Sequence, residues 1–433
     1  MHRIGTVSGM VNLPKELCQR SNPMQLETIT ELLRIQNFKV SHVIRNDQTS
    51  FHFLLKPIEE TLPVCSGCGS AYPLNRVCQT GQVVVEDLRL AGKRVFLYVP
   101  KRKVICMEGG RIRVEEFDWI RGRFTQRFAD QLTRLTAITT NQEAGWYLGL
   151  DDEVVYRIDR QNLEAQALSK LDPVPAPKYM SVDEVAWQKW HKYVTNVVDI
   201  EQRKVIWNHN HRGKEVLSSF YRALGPPACQ KIKGVASDGA QGYLSATREH
   251  APEALIVLDH FHVKSYLNEA VNTVRNEELK KARQQNNNEL SQILQGNQRF
   301  ILLQNKVTTK KQNLLSKLAD LNEPVYQAML LKEQFLSIYQ ARNWKTARVN
   351  LRDWIRAAIR SNLPPFVELG YKFFRKRHYV LNYFRLKITT AISEGINNKI
   401  KRLKRMAYGY RDVKYFLLKI HQHCGLLNPR LQT

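Results

Sequence analysis

Between residues 51 and 118 apolar side chains alternate with polar ones, as in Gln82-Val-Val-Val-Glu86 and Arg94-Val-Phe-Leu-Tyr-Val99. A period of two predicts strands with one buried face, so this stretch reads as β-rich. From residue 124 to about 167 the apolar positions recur at helical spacing. Leu171-Asp-Pro-Val-Pro-Ala-Pro177 then places prolines at 173, 175 and 177, which hold the chain extended and predict a connector. From 178 to 263 short apolar runs alternate with amphipathic ones. They predict strands at 178–182, 191–199, 204–208, 232–237 and 254–258, and helices at 213–224 and 241–250, an order that makes a sheet with helices packed on it. Residues 264–390 read as almost wholly helical, with Leu267, Ala270, Val271 and Val274 on one face and Gln284-Gln-Asn-Asn-Asn288 as an interhelical loop. Residues 395–420 read as helical and basic. Residues 1–50 are mixed, with an amphipathic helix over 24–35 that sets Leu26, Ile29, Leu32 and Leu33 on one side.

Composition narrows the partners. A chain of 433 residues implies two to four domains, and 43% hydrophobic residues can fill their cores. The net charge of +26 opposes folding and fits a partner rich in phosphates. A membrane partner is disfavoured: no uninterrupted apolar stretch approaches the roughly 20 residues that span a bilayer, and no lipidation motif is present. Residues 1–20 lack a signal-peptide apolar region. Seven cysteines at irregular spacing do not form a disulfide framework, which places the protein in a reducing cytoplasm, on DNA. No Walker A loop is found, so no ATP dependence is expected, and no Ser/His/Asp nucleophile arrangement is evident.

Three acids stand out. Asp183, followed by Glu184, ends the first predicted strand of the 178–263 sheet, and Asp238 ends the fourth, where Gly239 permits a sharp exit. Glu394 comes much later, in Ser393-Glu394-Gly395-Ile396-Asn397-Asn398-Lys399. Strand-ending aspartates often cap the next helix. Two of them at neighbouring strand tips, joined by a helical acid, instead make an oxygen-rich clamp for Mg²⁺ or Mn²⁺ of the kind phosphoryl transfer requires.

Two further clusters carry chemistry. Cys65-Ser-Gly-Cys68-Gly69 has the spacing of a zinc knuckle. Cys106 stands where a second knuckle would open, but Glu108, Gly109 and Gly110 follow it, so three ligands are evident and Cys78 is the candidate fourth. The alternatives to bound Zn²⁺ are a degenerate ribbon that folds without metal, and a redox pair. Cys18, Cys229 and Cys424 read as ordinary buried thiols. Residues 123–160 resemble a helix-turn-helix: Phe124, Phe128 and Leu132 share a face, Thr140-Asn-Gln-Glu143 is a capping box, Gly149 ends the second helix, and Asp151 or Asp152 caps the third. Arg157, Arg160 and Gln161 then face outward, suited to the major groove. A plain three-helix bundle uses the same signals. Two basic runs, Tyr371-Lys-Phe-Phe-Arg-Lys-Arg377 and the series Lys399, Lys401, Arg402, Lys404 and Arg405, read either as solvated faces or as cations suited to DNA phosphates, and the second continues on the helix of Glu394. Trp187 and Trp190 either stack on a splayed base or fill core, and Trp344 and Trp354 read as helical core.

The blocks Val182-Asp183-Glu184-Val185, Asp238-Gly239 with Gly242-Tyr243, Leu258-Asp259-His260-Phe261-His262-Val263-Lys264 and Ser393-Glu394-Gly395-Ile396-Asn397-Asn398-Lys399 together resemble the ISL3 family of insertion-sequence transposases. That resemblance implies a multidomain α/β protein: an N-terminal segment (1–50), a zinc-ribbon-like β domain (51–120), a helix-turn-helix (121–170) and a proline linker (171–178). An RNase H-like mixed-sheet core (179–263) follows, interrupted by an all-helical insertion (264–390) before the final catalytic helix and basic C-terminal region (391–433). It implies that Asp183, Asp238 and Glu394 are the DDE triad holding two ions, ~3.5–4 Å apart in such sites. Asp259 is the rival for the second position, and the RNase H-like order favours Asp238. Asp259 and His262 form an Asp-x-x-His pair, with His262 either a structural histidine or a group beside the active site or the DNA. Similar transposases carry a second cysteine after Cys106. The implied reaction is cleavage at the terminal inverted repeats of an element, freeing a 3′-hydroxyl that joins to target DNA, performed by a homo-oligomer on double-stranded DNA. The alternatives are a decayed transposase acting as a DNA-binding regulator, and an RNase H-like host nuclease or resolvase.

Overall fold

A computed structural model of the protein describes residues 23–58, 61–188, 192–298, 301 and 309–428. Cys18, Trp190 and His191 lie outside the described residues. The chain forms two compact units, Met1–Leu163 and Glu164–Thr433, and the division falls inside a helix, ahead of the expected proline connector.

The first unit opens with helix α1 (Pro23–Leu33). Strands β1 (Phe38–Asn46), β2 (Ser50–Pro57), β3 (Val77–Leu90), β4 (Lys93–Ile105), β5 (Ile112–Val114), β6 (Ile120–Arg121) and β7 (Phe124–Thr125) follow. They pair in the order β1-β2-β4-β3-β7-β6, with β5 on β4. The period-two pattern has its expected consequence: Val85, Val95, Leu97 and Val99 are buried together with Phe53 and Leu55. Ala91 and Gly92, both at positive φ (50° and 80°), make the tight turn between β3 and β4. Helices α2 (Gln126–Thr136), α3 (Asn141–Leu148) and α4 (Asp152–Lys170) complete the unit. The Thr140 hydroxyl accepts from the Glu143 N–H while the Glu143 carboxylate accepts from Thr140, and Gly149 ends α3 at φ 68°. Asp151 accepts from the Glu153 N–H at 2.9 Å. Phe128, Leu132, Ala144, Leu148, Val155 and Ile158 form the core of the three helices.

The second unit is built on strands β8 (Tyr179–Gln188), β9 (Lys192–Asp199), β10 (Lys204–Asn210), β11 (Gly234–Ser237) and β12 (Leu255–Leu258), in the order β10-β9-β8-β11-β12. The first three form an antiparallel meander, and β11 runs parallel to both β8 and β12. Helices α5 (Lys214–Leu224), α6 (Pro226–Cys229) and α7 (Gln241–His250) lie between these strands in sequence. Helices α8 (His260–Gln284), α9 (Asn288–Gly296), α10 (Thr309–Leu321), α11 (Glu323–Ile338), α12 (Trp344–Arg360) and α13 (Pro364–Leu386) build a separate helical core, in which Trp354 is buried. The chain then returns to the sheet with α14 (Ala391–Met406) and α15 (Val413–Cys424). No helix among the described residues is long and apolar enough to cross a membrane.

The sheet is covered on both faces, and the alternation along β8 decides which residue meets which helix. Met180 and Val182 pack with Leu217, Phe220 and Tyr243 of α5 and α7. Val185 and Trp187 pack with Ile396, Ile400 and Phe416 of α14 and α15. Trp187 is therefore core rather than a free stacking surface. One correction concerns Asp183: β8 runs on to Gln188, so this acid sits mid-strand and not at a strand tip.

Helices α5 and α7 approach closely where α7 carries Gly242. A Cβ built there would lie 2.8 Å from the Lys214 backbone nitrogen and 3.2 Å from the Gly213 carbonyl carbon. Backbone cannot yield as a flexible side chain does. Gly242→Ala is expected to lower the unfolding free energy by about 1–3 kcal/mol, the usual cost of overpacking, read as a lower urea midpoint at unchanged slope.

Candidate active site and cysteine cluster

Ser181, Asp183, Val185 and Trp187 share the β8 face that meets α14 and α15, because successive strand residues point to opposite sides. Helix α14 answers with a buried stripe of Ser393, Ile396, Asn397, Ile400 and Leu403. The Ser393 hydroxyl hydrogen-bonds that of Ser181, and the Asn397 amide donates to Asp183 Oδ2 at 2.7 Å. Glu394 is one residue from Ser393 and three from Asn397, so it rides the first turn of α14 beside this seam, solvent-exposed.

Asp238 reaches the same place along the sheet. Ala236 pairs with Ser181 in the parallel β8–β11 register, and Asp238 follows directly on the end of β11, the strand beside Asp183. The chain leaves β11 through Gly239 at φ 82°, where a Cβ would meet Leu258 at 2.6 Å. Burial pushes the Asp183 carboxyl pKa above its ordinary value and Asp238 adds to that, while the Glu184 N–H and His262 pull it down. Among the described residues no lysine or arginine pairs with Asp183. A largely buried carboxylate facing a second acid, without such a cation, is a fit for a hard divalent ion. The oxygens of Asp183, Asp238 and Glu394 do not gather within 4.8 Å of one another: among the described residues only cysteines form a group of three that close.

Asp259 and His262 are part of this end of the sheet. Asp259 has no exposed surface and caps α8, accepting from the N–H groups of Phe261 at 3.1 Å and His262 at 3.3 Å. Its other oxygen accepts from the Thr390 N–H at 3.1 Å, at the start of α14. The His262 ring bonds Asp259 at 3.2 Å, which raises the imidazole pKa against the effect of burial, and Asp183 and Asp238 raise it further. His262 is thus both a partner of Asp259 and within the field of the two acids.

Several contributors were missed in the sequence. Lys376 of α13 donates to the Gly239 carbonyl at 2.6 Å, and the Tyr266 hydroxyl of α8 donates to the Asp238 carbonyl at 3.2 Å. Both hold the β11 exit from the helical side, next to a groove of about 950 Å³ that Lys372 and Arg375 also line. Lys376 belongs to a basic run already singled out, whereas nothing local marks Tyr266. Asn397 lies in the same motif as Glu394, three residues on. Glu184 points to the opposite face, where it pairs with Arg212 at 2.6 Å and accepts from Tyr243 at 3.2 Å.

The DNA-suited cations are placed as follows. Lys399, Lys401, Arg402 and Arg405 are exposed along α14, and Lys404 reaches back to the Ala186 carbonyl at 2.8 Å. In the first unit Arg157 and Gln161 are exposed on α4, and Arg160 bonds the Tyr156 hydroxyl at 3.0 Å. Arg157 also lines a groove of about 830 Å³ with Arg94, Lys101, Lys103 and Arg123.

Cys65, Cys68 and Cys106 bring their sulfurs within 4.8 Å of one another. Cys78 does not join them: it is exposed on β3, where alternation and the pairing with β4 turn its thiol to the Lys103 carbonyl at 3.4 Å. The Tyr72 hydroxyl lies 3.4 Å from Cys68 Sγ, a contact that leads in pulling the Cys68 thiol pKa down to about 6 and in pushing the phenol up to about 12. Three clustered thiols, one of them readily ionised, are a fit for Zn²⁺.

Comparison with known proteins gives the family of each half of the chain. A family model of ISL3 type described as a transposase matches residues 180–420, and one described as the zinc finger of the IS204/IS1001/IS1096/IS1165 transposases matches residues 61–109. The transposase for insertion sequence element IS1001 from Bordetella parapertussis is 32% identical over 378 residues, 84% of this chain and 89% of that protein. The transposase for IS1557 from Mycobacterium tuberculosis is 26% identical over 269 residues, 57% of this chain and 60% of its own.

Proposed function

The chain belongs to the ISL3 family of transposases, and from that premise we propose that it cleaves DNA at the terminal inverted repeats of an insertion sequence and joins the freed ends to target DNA. The observation that carries this is the meeting of Asp183 on β8, Asp238 at the β11 exit and the Glu394-bearing helix, docked through Ser393 and Asn397. A strand order of three antiparallel strands followed by two parallel ones supports an RNase H-like core, and the helices between β12 and α14 then form its insertion. The domain boundaries set out from the sequence belong to the same proposal.

In this reading Asp183, Asp238 and Glu394 hold two Mg²⁺ or Mn²⁺ ions. When bound, such ions polarise the scissile phosphate and ease deprotonation of the attacking water or 3′-hydroxyl. Asn397 and the Glu184 N–H fix the two oxygens of Asp183, and the clasp at Asp259 fixes where α14 begins. The exposed cations of α14 guide phosphates toward Glu394, one to three turns away. Arg157, Arg160 and Gln161 face the terminal repeats, and Cys65, Cys68 and Cys106 hold Zn²⁺. Joining requires two element ends together, so the active form is a homo-oligomer on double-stranded DNA. No covalent protein intermediate and no ATP are required, because positioning and charge neutralisation supply the catalysis.

The test is incubation of the full-length protein with Mg²⁺ and a duplex carrying its own element's terminal repeat. Nicks at the element end and strand-joined products are the expected result. Binding without cutting would favour a decayed regulator, and cutting without joining a host nuclease; either would overturn the proposal.

A further inference from the structure

The cysteine site contains one turn twice. The Cys65 N–H donates to the Ser70 carbonyl at 2.9 Å, and the Gly69 N–H to the Cys65 carbonyl at 2.8 Å. The Cys106 N–H donates to the Arg111 carbonyl at 3.0 Å, and the Gly110 N–H to the Cys106 carbonyl at 2.9 Å. Gly69 and Gly110 close the two turns at φ 73° and 62°. By this register Cys68 of the first turn corresponds to Gly109 of the second. A Cβ built on Gly109 meets nothing within 4 Å, so the backbone of a second knuckle is intact and one thiolate is missing. Three thiolates leave Zn²⁺ one ligand short of its tetrahedral set.

Tyr72 offers the missing donor. Its side chain is buried, 3% exposed, among these cysteines. The hydroxyl oxygen lies 3.4 Å from Cys68 Sγ and 3.8 Å from Cys106 Sγ, and those two sulfurs are 3.7 Å apart. Two thiolates ~2.3 Å from a shared tetrahedral ion stand ~3.8 Å apart, and an oxygen ~2.0 Å from that ion stands ~3.5 Å from each sulfur. The three separations therefore match three corners of such a tetrahedron. The Met107 N–H also donates to the Tyr72 oxygen at 2.9 Å, which would stabilise it as a phenolate.

We propose that the Tyr72 phenol oxygen is the fourth ligand of the Zn²⁺ bound by Cys65, Cys68 and Cys106, in place of the cysteine absent at position 109. This rests on the reading of the cluster as a zinc site. On binding, the phenol and those thiols that are still protonated release their protons to solvent.

The test uses full-length protein, purified metal-free and titrated with Zn²⁺ or Co²⁺. Wild type is expected to take up the metal with an ultraviolet difference band of ionised phenol that Tyr72→Phe lacks. Tyr72→Phe should bind Zn²⁺ more weakly by at least the about 10–100-fold typical of losing a hydrogen-bonded partner of a ligand. Tyr72→Phe/Gly109→Cys should restore affinity and intensify the sulfur-to-cobalt charge-transfer band, as a fourth thiolate requires. A Tyr72→Phe protein with wild-type affinity and an unchanged cobalt spectrum, or a wild type that binds metal without the phenolate band, would overturn the assignment and leave water as the fourth ligand. A wild type that binds no Zn²⁺ would remove the zinc site itself. If Tyr72→Phe does not fold, the wild-type difference band alone decides.

Discussion

Asp183→Asn is expected to lower strand cleavage by about 10³-fold or more while leaving the affinity for terminal DNA nearly unchanged. Asp183 points to the α14 face, is largely buried, and among the described residues has no lysine or arginine partner. Its negative charge is costly there, and in the proposed function a bound cation offsets that cost. Asparagine keeps the volume but removes the charge that grips the ion. Losing several kcal/mol of stabilisation of the developing charge, taken as ~4, corresponds to about 10³ in rate. Binding should survive, because the cations proposed to meet phosphates lie on α14 and in the first unit. Asp238→Asn and Glu394→Gln should behave alike. Glu184→Gln is the matched control, since its neighbour position points to the α7 face and pairs with Arg212 and Tyr243. Cleavage rates on a terminal-repeat duplex, with affinity measured in parallel at fixed salt, provide the check. Full cleavage by Asp183→Asn, or equal losses in Asp183→Asn and Glu184→Gln, would end the assignment.

What could be read from the sequence depended on whether the signal was local. The capping box at Thr140 and Glu143, the left-handed Gly149 and the bounds of α7 follow from a few neighbouring residues, and the structure has them as expected. The period-two runs of β3 and β4 were equally clear. β1 was not, because its burial is irregular: two register shifts against β2 break the alternation. The placement of Asp183 failed in a subtler way. Polar Asp183 and Glu184 looked like the end of a strand, yet each finds a polar partner on its own face, so the strand continues through them. Asn397 and Ser393 could not be found by pattern, since their roles depend on a contact with β8 across more than two hundred residues. Cys78 was a matter of arithmetic. Counting cysteines offered a fourth ligand, whereas the turn geometry sets Gly109 in that place and leaves Tyr72 beside the sulfurs.

Asp259→Ala is expected to lower the unfolding free energy by about 3–5 kcal/mol, the cost of breaking a buried charged pair by removing one partner. The carboxylate is wholly buried and serves four donors: the N–H groups of Phe261, His262 and Thr390, and the His262 ring. Alanine would leave donors of two helices unsatisfied and free the start of α14, so cleavage should fall as well. The pH dependence follows from the pair. Burial acts to raise the Asp259 pKa, but the hydrogen bonds from His262 and Thr390 outweigh it and the net shift is downward. Its contribution is therefore present above the unfolded value of about 3.9 and is lost as pH falls through the lower folded value. The His262 pKa is raised, chiefly by the Asp259 hydrogen bond. That contribution is complete below about 6.5 and is lost as pH rises through the higher folded value. In metal-free buffer the stability gap between wild type and His262→Gln should thus be widest between about pH 4 and 6.5 and narrow by pH 9. Urea unfolding at those values measures it, and a gap that does not change with pH would mean that His262 is neutral throughout. Cleavage and urea unfolding measured side by side on Asp238→Ala and Asp259→Ala separate the two residues as candidates for the second metal-holding acid. A carboxylate that serves the ions resembles Asp183 in costing stability when bare, so its removal should abolish cleavage and leave the fold intact. A carboxylate that clasps two helix starts should lose both together, and Asp259, which joins the start of α8 to the start of α14, is expected to do so.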